Sequence, residues 1–420
     1  MTRLDETSRA GRRAGTARHR RPPPGVLIRR WALVLGGIAT IVVLFVFASD
    51  PGGRSSPPAV PSSGTGTTST VGQGSSTTLA ALPGMPPVLN PNDIYAADRP
   101  GALSPVVKNF PQLVYVPNSE SDSVSVIDPT TFKVVNTFPV GGLPQHVVPS
   151  WDLRTLWATN DQGNSLTPID PATGKPGAPV PVEDPYNMYF TPDGRYAIVV
   201  AEALKRLDFR DAHTMQLVHS LPVPCEGVDH ADFSADGTYM IVSCEFSSQM
   251  LKVDVPHQQL VGTLTIPGSS PQDVKTSPDG KVFYEADLKA NGLYEIDGNS
   301  FKVVGFIPTG KGAHGLYVSR DSRYLYVSNR SEGSVSLVDL SSRSVAATWH
   351  LPGGGSPDMG GVSADGKVLW LTGRYNSEVY AIDTTSGQLL ARIPVGRGPH
   401  GLSVYPQPGR YSLGHTGVFR

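Results

Sequence analysis

Residues His314–Leu351 read HGLYVSRDSRYLYVSNRSEGSVSLVDLSSRSVAATWHL. Four short runs stand out: HGLYVS from His314, YLYVSN from Tyr324, SVSLVD from Ser334 and SVAATWHL from Ser344. Each alternates apolar and polar residues or is continuously apolar, as strands in stacked sheets are. The connections are too short for helices, so consecutive runs pair antiparallel. We label the four strands A, B, C and D.

Working outward, the same unit recurs. An Asp closes each C run: Asp128, Asp170, Asp211, Asp254, Asp297, Asp339 and Asp383. These markers lie 42, 41, 43, 43, 42 and 44 residues apart, a propeller-blade period. The A-to-B turns keep the same phase: TPDGRY at Thr191, SADGTY at Ser234, SPDGKV at Ser277, SRDSRY at Ser319 and SADGKV at Ser363, with a weaker copy, SWDLRT, at Ser150. Asp-Gly supplies the positive φ of a tight hairpin. Seven four-stranded units with no helical period between them predict an all-β, seven-bladed propeller. A β-solenoid fits less well, because its repeats are usually shorter.

The array is out of phase at its ends. The first unit opens on a B run, LVYVPN at Leu113, and the last is followed by an A run, HGLSVY at His400. The C-terminal A strand is therefore expected to complete the first blade as its innermost strand, which leaves the ring no open edge.

Residues Leu113–Gly141, LVYVPNSESDSVSVIDPTTFKVVNTFPVG, and Leu325–Gly354 resemble the YVTN-repeat, or YncE-like, β-propeller family. The resemblance runs from about Leu113 to Tyr405. It implies the fold and leaves activity open, because propellers host many functions. Relatives in architecture include haem d1 and copper-cluster domains. The chain shows neither a c-type haem motif nor a cupredoxin-like Cys-rich stretch, so neither activity transfers.

In this architecture strand A is innermost, and its first residues line the channel mouth on the face carrying the D-to-A and B-to-C connections. That position reads His146, Asn187, His230, Asp273, His314, Asp358 and His400. Imidazoles and carboxylates are the usual ligands of transition metals, so His146, His230, Asp273, His314, Asp358 and His400 are candidate metal ligands. Asn187 joins the ends of the B strands, Glu202, Glu245, Asp287, Arg330 and Arg374, as candidate ligand-binding residues. Two other readings stay open: a merely solvated rim, and a site for an organic ligand without metal. Cys225 and Cys244, the only cysteines, flank one hairpin on the same face and read as a disulfide; a Cys/His metal site and free thiols are the alternatives. The tail Tyr411–Arg420 follows the closing strand, and its His415 reads as a surface residue.

Upstream, residues 1–30 carry nine Arg against Asp5 and Glu6, and Trp31–Ala48, WALVLGGIATIVVLFVFA, contains no charge. About 20 apolar residues cross a bilayer core. The Arg-rich side stays cytoplasmic, which places everything after Asp50 outside in a single-pass topology. A cleaved export signal is the alternative, and the protein would then be secreted. The expected organisation is a cytoplasmic segment 1–30, an anchor 31–48, a Gly/Ser/Thr/Pro tether 49–95, a lead-in 96–112, the propeller 113–406 and a tail 407–420. The net charge of -1 gives no electrostatic case for nucleic acid. No GxSxG elbow, HExxH, P-loop or dinucleotide fingerprint is present. The expectation is a membrane-tethered, monomeric binding module for a protein, glycan or small ligand. A metal-dependent oxidoreductase or hydrolase using the axial ring is the alternative, with a transition metal as its cofactor.

Overall fold

In the unit quoted first, Ala313–Val318, Tyr324–Asn329, Ser334–Asp339 and Ser344–His350 form one antiparallel sheet in sequence order. The three inner strands are largely buried; the outer strand alternates exposed and half-buried residues. This computed structural model describes residues 81–420. The Arg-rich segment, the apolar segment and the tether to residue 80 lie outside the described residues.

Seven such sheets form the ring. In the first, Ser403–Tyr405 pairs antiparallel with Leu113–Asn118, so the C-terminal strand is the innermost strand of blade 1, as the phase of the repeat requires. The outer strand of blade 2 is split into Lys175–Pro176 and Val180–Pro181. The stretch KPGAPVP carries three prolines, which lack the N–H a continuous ladder needs. Apolar clusters lie between neighbouring sheets; one packs Val282, Tyr284 and Leu293 of blade 5 against Leu316, Leu325 and Val327 of blade 6.

Both sequence markers are turn chemistry. At the A-to-B turns the Ser or Thr hydroxyl donates to the Asp two residues on, at 2.6 Å in Thr191–Asp193, Ser234–Asp236 and Ser277–Asp279. The Gly that follows sits at φ +71 to +78 in Gly194, Gly237, Gly280 and Gly366; the two weaker copies hold Leu153 and Ser322 in the same left-handed region. The period-marking Asp accepts backbone N–H groups of the C-to-D turn, as Asp128 does from Thr130 at 2.8 Å. These hydrogen bonds hold the Asp128, Asp211, Asp297, Asp339 and Asp383 carboxyls below their ordinary range.

The face of the A-to-B turns is covered. Residues 82–101 cross the turns of blades 4, 5, 6 and 7 in order: Leu82 N–H donates to Asp236 O (2.8 Å), Ile94 N–H to Pro278 O (2.8 Å), the Arg99 guanidinium to Arg320 O (3.0 Å) and Gly101 N–H to Ala364 O (3.1 Å). Leu82 and Ile94, within the stretch 49–95 expected to be a tether, are thus buried against the propeller. The tail is not a surface segment either. Phe190 N–H donates to Leu413 O (2.9 Å), His415 N–H to Met188 O (2.9 Å), and the Arg420 guanidinium pairs with Asp232 at 3.0 Å. Tyr411, Leu413, Val418 and Phe419 are buried, and that apolar area is what seats the tail.

Candidate axial histidine cage and channel mouth

Six of the seven inner strands carry a register irregularity. In blade 2, Pro144 pairs with Asn160 but Val147 pairs with Ala158, so one extra residue is inserted around Gln145 and His146. The same shift falls at Asp229 and His230, at Gln272 and Asp273, at His314 and Gly315, and at Asp358 and Met359. A β-bulge breaks strict alternation and re-aims side chains. Here hydroxyls of the neighbouring B strands brace it: His146 N–H donates to Thr159 Oγ1 (3.0 Å), His230 N–H to Ser243 Oγ (3.0 Å) and Gly315 N–H to Ser328 Oγ (2.8 Å).

The strand-start ring is buried inside the channel, not solvated at its rim. His146, His230, Asn187, Asp273 and Asp358 are fully enclosed, and His314 and His400 are 3% and 2% exposed. His146 lies with its ring centroid 4.9 Å from His400 and 5.5 Å from His230; His314 is 6.4 Å from His230 and 6.1 Å from His400. A fifth imidazole, His415, enters from the covered face, 4.8 Å from His230 and 5.2 Å from His146. Gly401 lets the closing strand approach this close, since a Cβ there would overlap the His146 ring.

His146, His230 and His415 each present a ring nitrogen within 4.8 Å of the others. His146 Nδ1 is 3.0 Å from Tyr186 O, which leaves Nε2 without a partner. Asp229 Oδ1 pairs with His230 Nδ1 at 2.7 Å, which leaves His230 Nε2 without a partner. Asp358 orients its neighbours: Oδ2 lies 2.9 Å from His400 Nδ1, and Oδ1 3.1 Å from His314 Nδ1 and 3.2 Å from the Arg330 guanidinium. Asp273 is turned to backbone, accepting from Leu316 N–H and Val274 N–H at 2.9 Å each. Asn187 Nδ2 is 3.0 Å from His415 Nδ1. Asp287 is taken up by its turn, accepting from Ser270, Lys289 and Ala290 N–H groups.

The profile of the YNCE-like beta-propeller family matches residues 74–409. The chain belongs to this family. Among curated proteins, a 6-phosphogluconolactonase of Pectobacterium carotovorum is 29% identical over 127 residues, 29% of this chain and 38% of that protein. The match therefore spans well under half of that relative's length. Solved structures with the same fold include Kuenenia stuttgartiensis hydrazine synthase (TM-score 0.58, 19% identity, 67% of this chain and 98% of that one). A putative 6-phosphogluconolactonase from Bacteroides uniformis also matches (TM-score 0.57, 17% identity, 70% and 99%). So does the dihydro-heme d1 dehydrogenase NirN (TM-score 0.55, 18% identity, 73% and 77%).

In this YNCE-like propeller, burial and neighbouring positive charge favour the neutral form of four of the five imidazoles. Burial first, then the other imidazoles, lowers His146 and His415 well below the ordinary value. Burial and Arg374 bring His400 down to about 4. Burial also lowers His314, outweighing Asp358. His230 goes the other way, because Asp229, Asp273 and Glu245 overcome its burial. Asp358 stays well below the carboxylate range despite burial, held by His314, Arg330 and His400. Tyr186, half-buried beside the cage, is reached from both sides of the mouth. Burial and then Asp229, Glu202 and Glu245 hold its phenol proton on, against Arg374. Glu245 rises to about 7 through burial and Asp229.

Strand-start counting found His146, His230, His314 and His400 but missed Asp229, Tyr186 and His415. Asp229 adjoins His230 and falls on the wrong face under strict alternation; the bulge brings it in. The tail carries no repeat phase that could place His415. Cys225 and Cys244 are joined as a disulfide with Cα atoms 6.1 Å apart, so no thiolate joins the cage.

Proposed function

We propose that this chain is an extracytoplasmic, membrane-tethered binding module that receives a ligand carrying both charge signs at its open channel mouth. The observation that carries this reading is the divided charge of the mouth. Glu202, Asp229 and Glu245 belong to blades 3 and 4, whereas Arg330 and Arg374 belong to blades 6 and 7. Arg374 donates to the neutral Gln145 amide at 3.4 Å, and Arg330 is paired with Asp358 at 3.2 Å. A zwitterion such as an amino acid or a peptide end satisfies both walls at once. The covered opposite face leaves this one for a partner. The uncharged segment Trp31–Ala48 and the polar stretch after it support the tether.

Thermal melting in the presence of amino acids and short peptides tests this reading, with acetate and methylamine as single-charge controls. Zwitterions raise the melting temperature, the controls do not, and Arg374→Gln or Glu245→Gln removes the rise. A melting temperature that no zwitterion moves refutes it. A second reading, a metal-dependent enzyme, is favoured by Glu245, whose value near 7 suits proton transfer at neutral pH. The partial likeness to a 6-phosphogluconolactonase leans the same way, towards hydrolysis.

A further inference from the structure

We infer that His146, His230 and His415 form a binding site for a late first-row divalent transition metal, and that the C-terminal segment supplies one of its three ligands. The inference does not depend on the mouth ligand proposed above.

The argument starts from unmet hydrogen-bonding capacity. A buried polar atom without a partner is costly. Here two such nitrogens, His146 Nε2 and His230 Nε2, occur in one enclosed cluster. With a third imidazole in reach, the set converges to within 4.8 Å. A tetrahedral ion with bonds of about 2.0–2.1 Å needs its nitrogens about 3.4 Å apart, so the rings need close by no more than about 1.5 Å.

The surroundings are those a metal-ligating imidazole uses. His146 Nδ1 rests on the Tyr186 carbonyl and His230 Nδ1 is flanked by Asp229, the backbone and carboxylate partners that fix a ring and raise its basicity. His400 lies beside the three, its ring centroid 4.9 Å from that of His146, oriented by Asp358 and with Tyr186 Oη 3.4 Å from its Nε2. An all-imidazole set suits Zn²⁺, Cu²⁺, Ni²⁺ or Fe²⁺ and disfavours Ca²⁺ and Mg²⁺, which take oxygen ligands.

This set differs from the ring of strand starts. Asp273 and Asp358 drop out as ligands, one occupied by backbone N–H groups and the other by His400, His314 and Arg330. His415 enters from outside the repeat. An ion would therefore staple the tail to blades 2 and 4.

The test uses full-length protein stripped with a chelator and titrated with Co²⁺. The expected result is a single equivalent per chain with visible d–d absorption typical of nitrogen ligation, displaced by Zn²⁺. Cleavage within residues 407–420 by added protease slows when Zn²⁺ is bound. His415→Ala and His146→Ala each abolish tight uptake, and Asp229→Asn weakens it about 10- to 100-fold. If His146→Ala fails to fold, His415→Gln carries the test, because it alters the tail alone. Absence of stoichiometric uptake by the wild-type chain overturns the inference. So does undiminished uptake by the His415 variants, or tail cleavage that Zn²⁺ does not slow.

Discussion

On the A-to-B-turn face the chain lays residues 81–112 across four successive turns and buries its C-terminal segment in the channel, whereas on the opposite face Tyr186, Glu202, Glu245, Arg330 and Arg374 remain partly exposed. The covered face is closed with apolar area and one buried ion pair. The open face carries opposed charges, some of them imperfectly matched. Imperfect matching costs stability, and in a propeller it is tolerated where a ligand can supply the missing partners. The two faces thus divide the work: one makes the ring rigid and the other leaves it something to bind.

Deletions should break or sharpen this comparison most. Removal of residues 400–420 takes away the innermost strand of blade 1, His400, His415 and the plug of the covered face together. We expect loss of cooperative unfolding, read by calorimetry. Removal of residues 51–80 should leave the melting temperature unchanged. Equal, mild effects of the two deletions would mean that the ring does not depend on its C-terminal strand.

Next in size is the ion pair of the covered face. Arg420 is fully enclosed against Asp232 and stacks on Tyr95, its guanidinium 4.6 Å from the ring centroid. Arg420→Gln should cost about 3–5 kcal/mol, because it strands a buried carboxylate. Arg374→Gln on the open face should cost less than about 0.5 kcal/mol, as an ordinary surface change does. Denaturant unfolding of both variants checks this; comparable losses would erase the distinction between the faces.

The smallest effect is a pH dependence of the channel between them. His146, His314, His400 and His415 have folded values below the ordinary imidazole value of 6.5. Below about pH 6.5 the unfolded chain therefore binds more protons than the folded one. Stability is full above that pH and falls as pH drops towards about 4, by at most about 1.4 kcal/mol per unit for each histidine. His230 is raised and opposes this: its contribution is present at low pH and lost as pH rises through its folded value. Buried carboxyls oppose it as well: Glu245 and Asp184 rise to about 7 and Asp98 to about 6, so the folded chain takes up their protons first as pH falls. The test therefore isolates one imidazole: between pH 7 and pH 5 the metal-free His400→Gln variant should lose less melting temperature than the wild type, and parallel profiles would show that His400 is not held neutral.

The fold was legible because its markers are turn chemistry that cannot be omitted. Asp128 and its six counterparts cap the C-to-D turns, and Asp-Gly supplies the left-handed residue of the A-to-B turns. Ring closure followed from phase alone. The axial histidines were legible for the same reason, since phase gives each strand start. What stayed hidden depends on departures from period. A bulge moves Asp229 beside His230. Asp287 ends a B strand on the open face, yet its turn captures it. His415 and Leu82 lie outside the repeat, where apolar residues too sparse to form a pattern still find a groove to fill.

Ring closure by Ser403–Tyr405 also has a consequence for biogenesis. A chain made from its N-terminus presents Leu113–Asn118 about 290 residues before its partner strand exists, so the first sheet waits one strand short while the others form. His400 arrives with that last strand, and His415 after it. The imidazole cage is thus a late product of synthesis. Unlike a zinc finger, which an ion folds, this ring would have to fold first and take up the proposed ion afterwards.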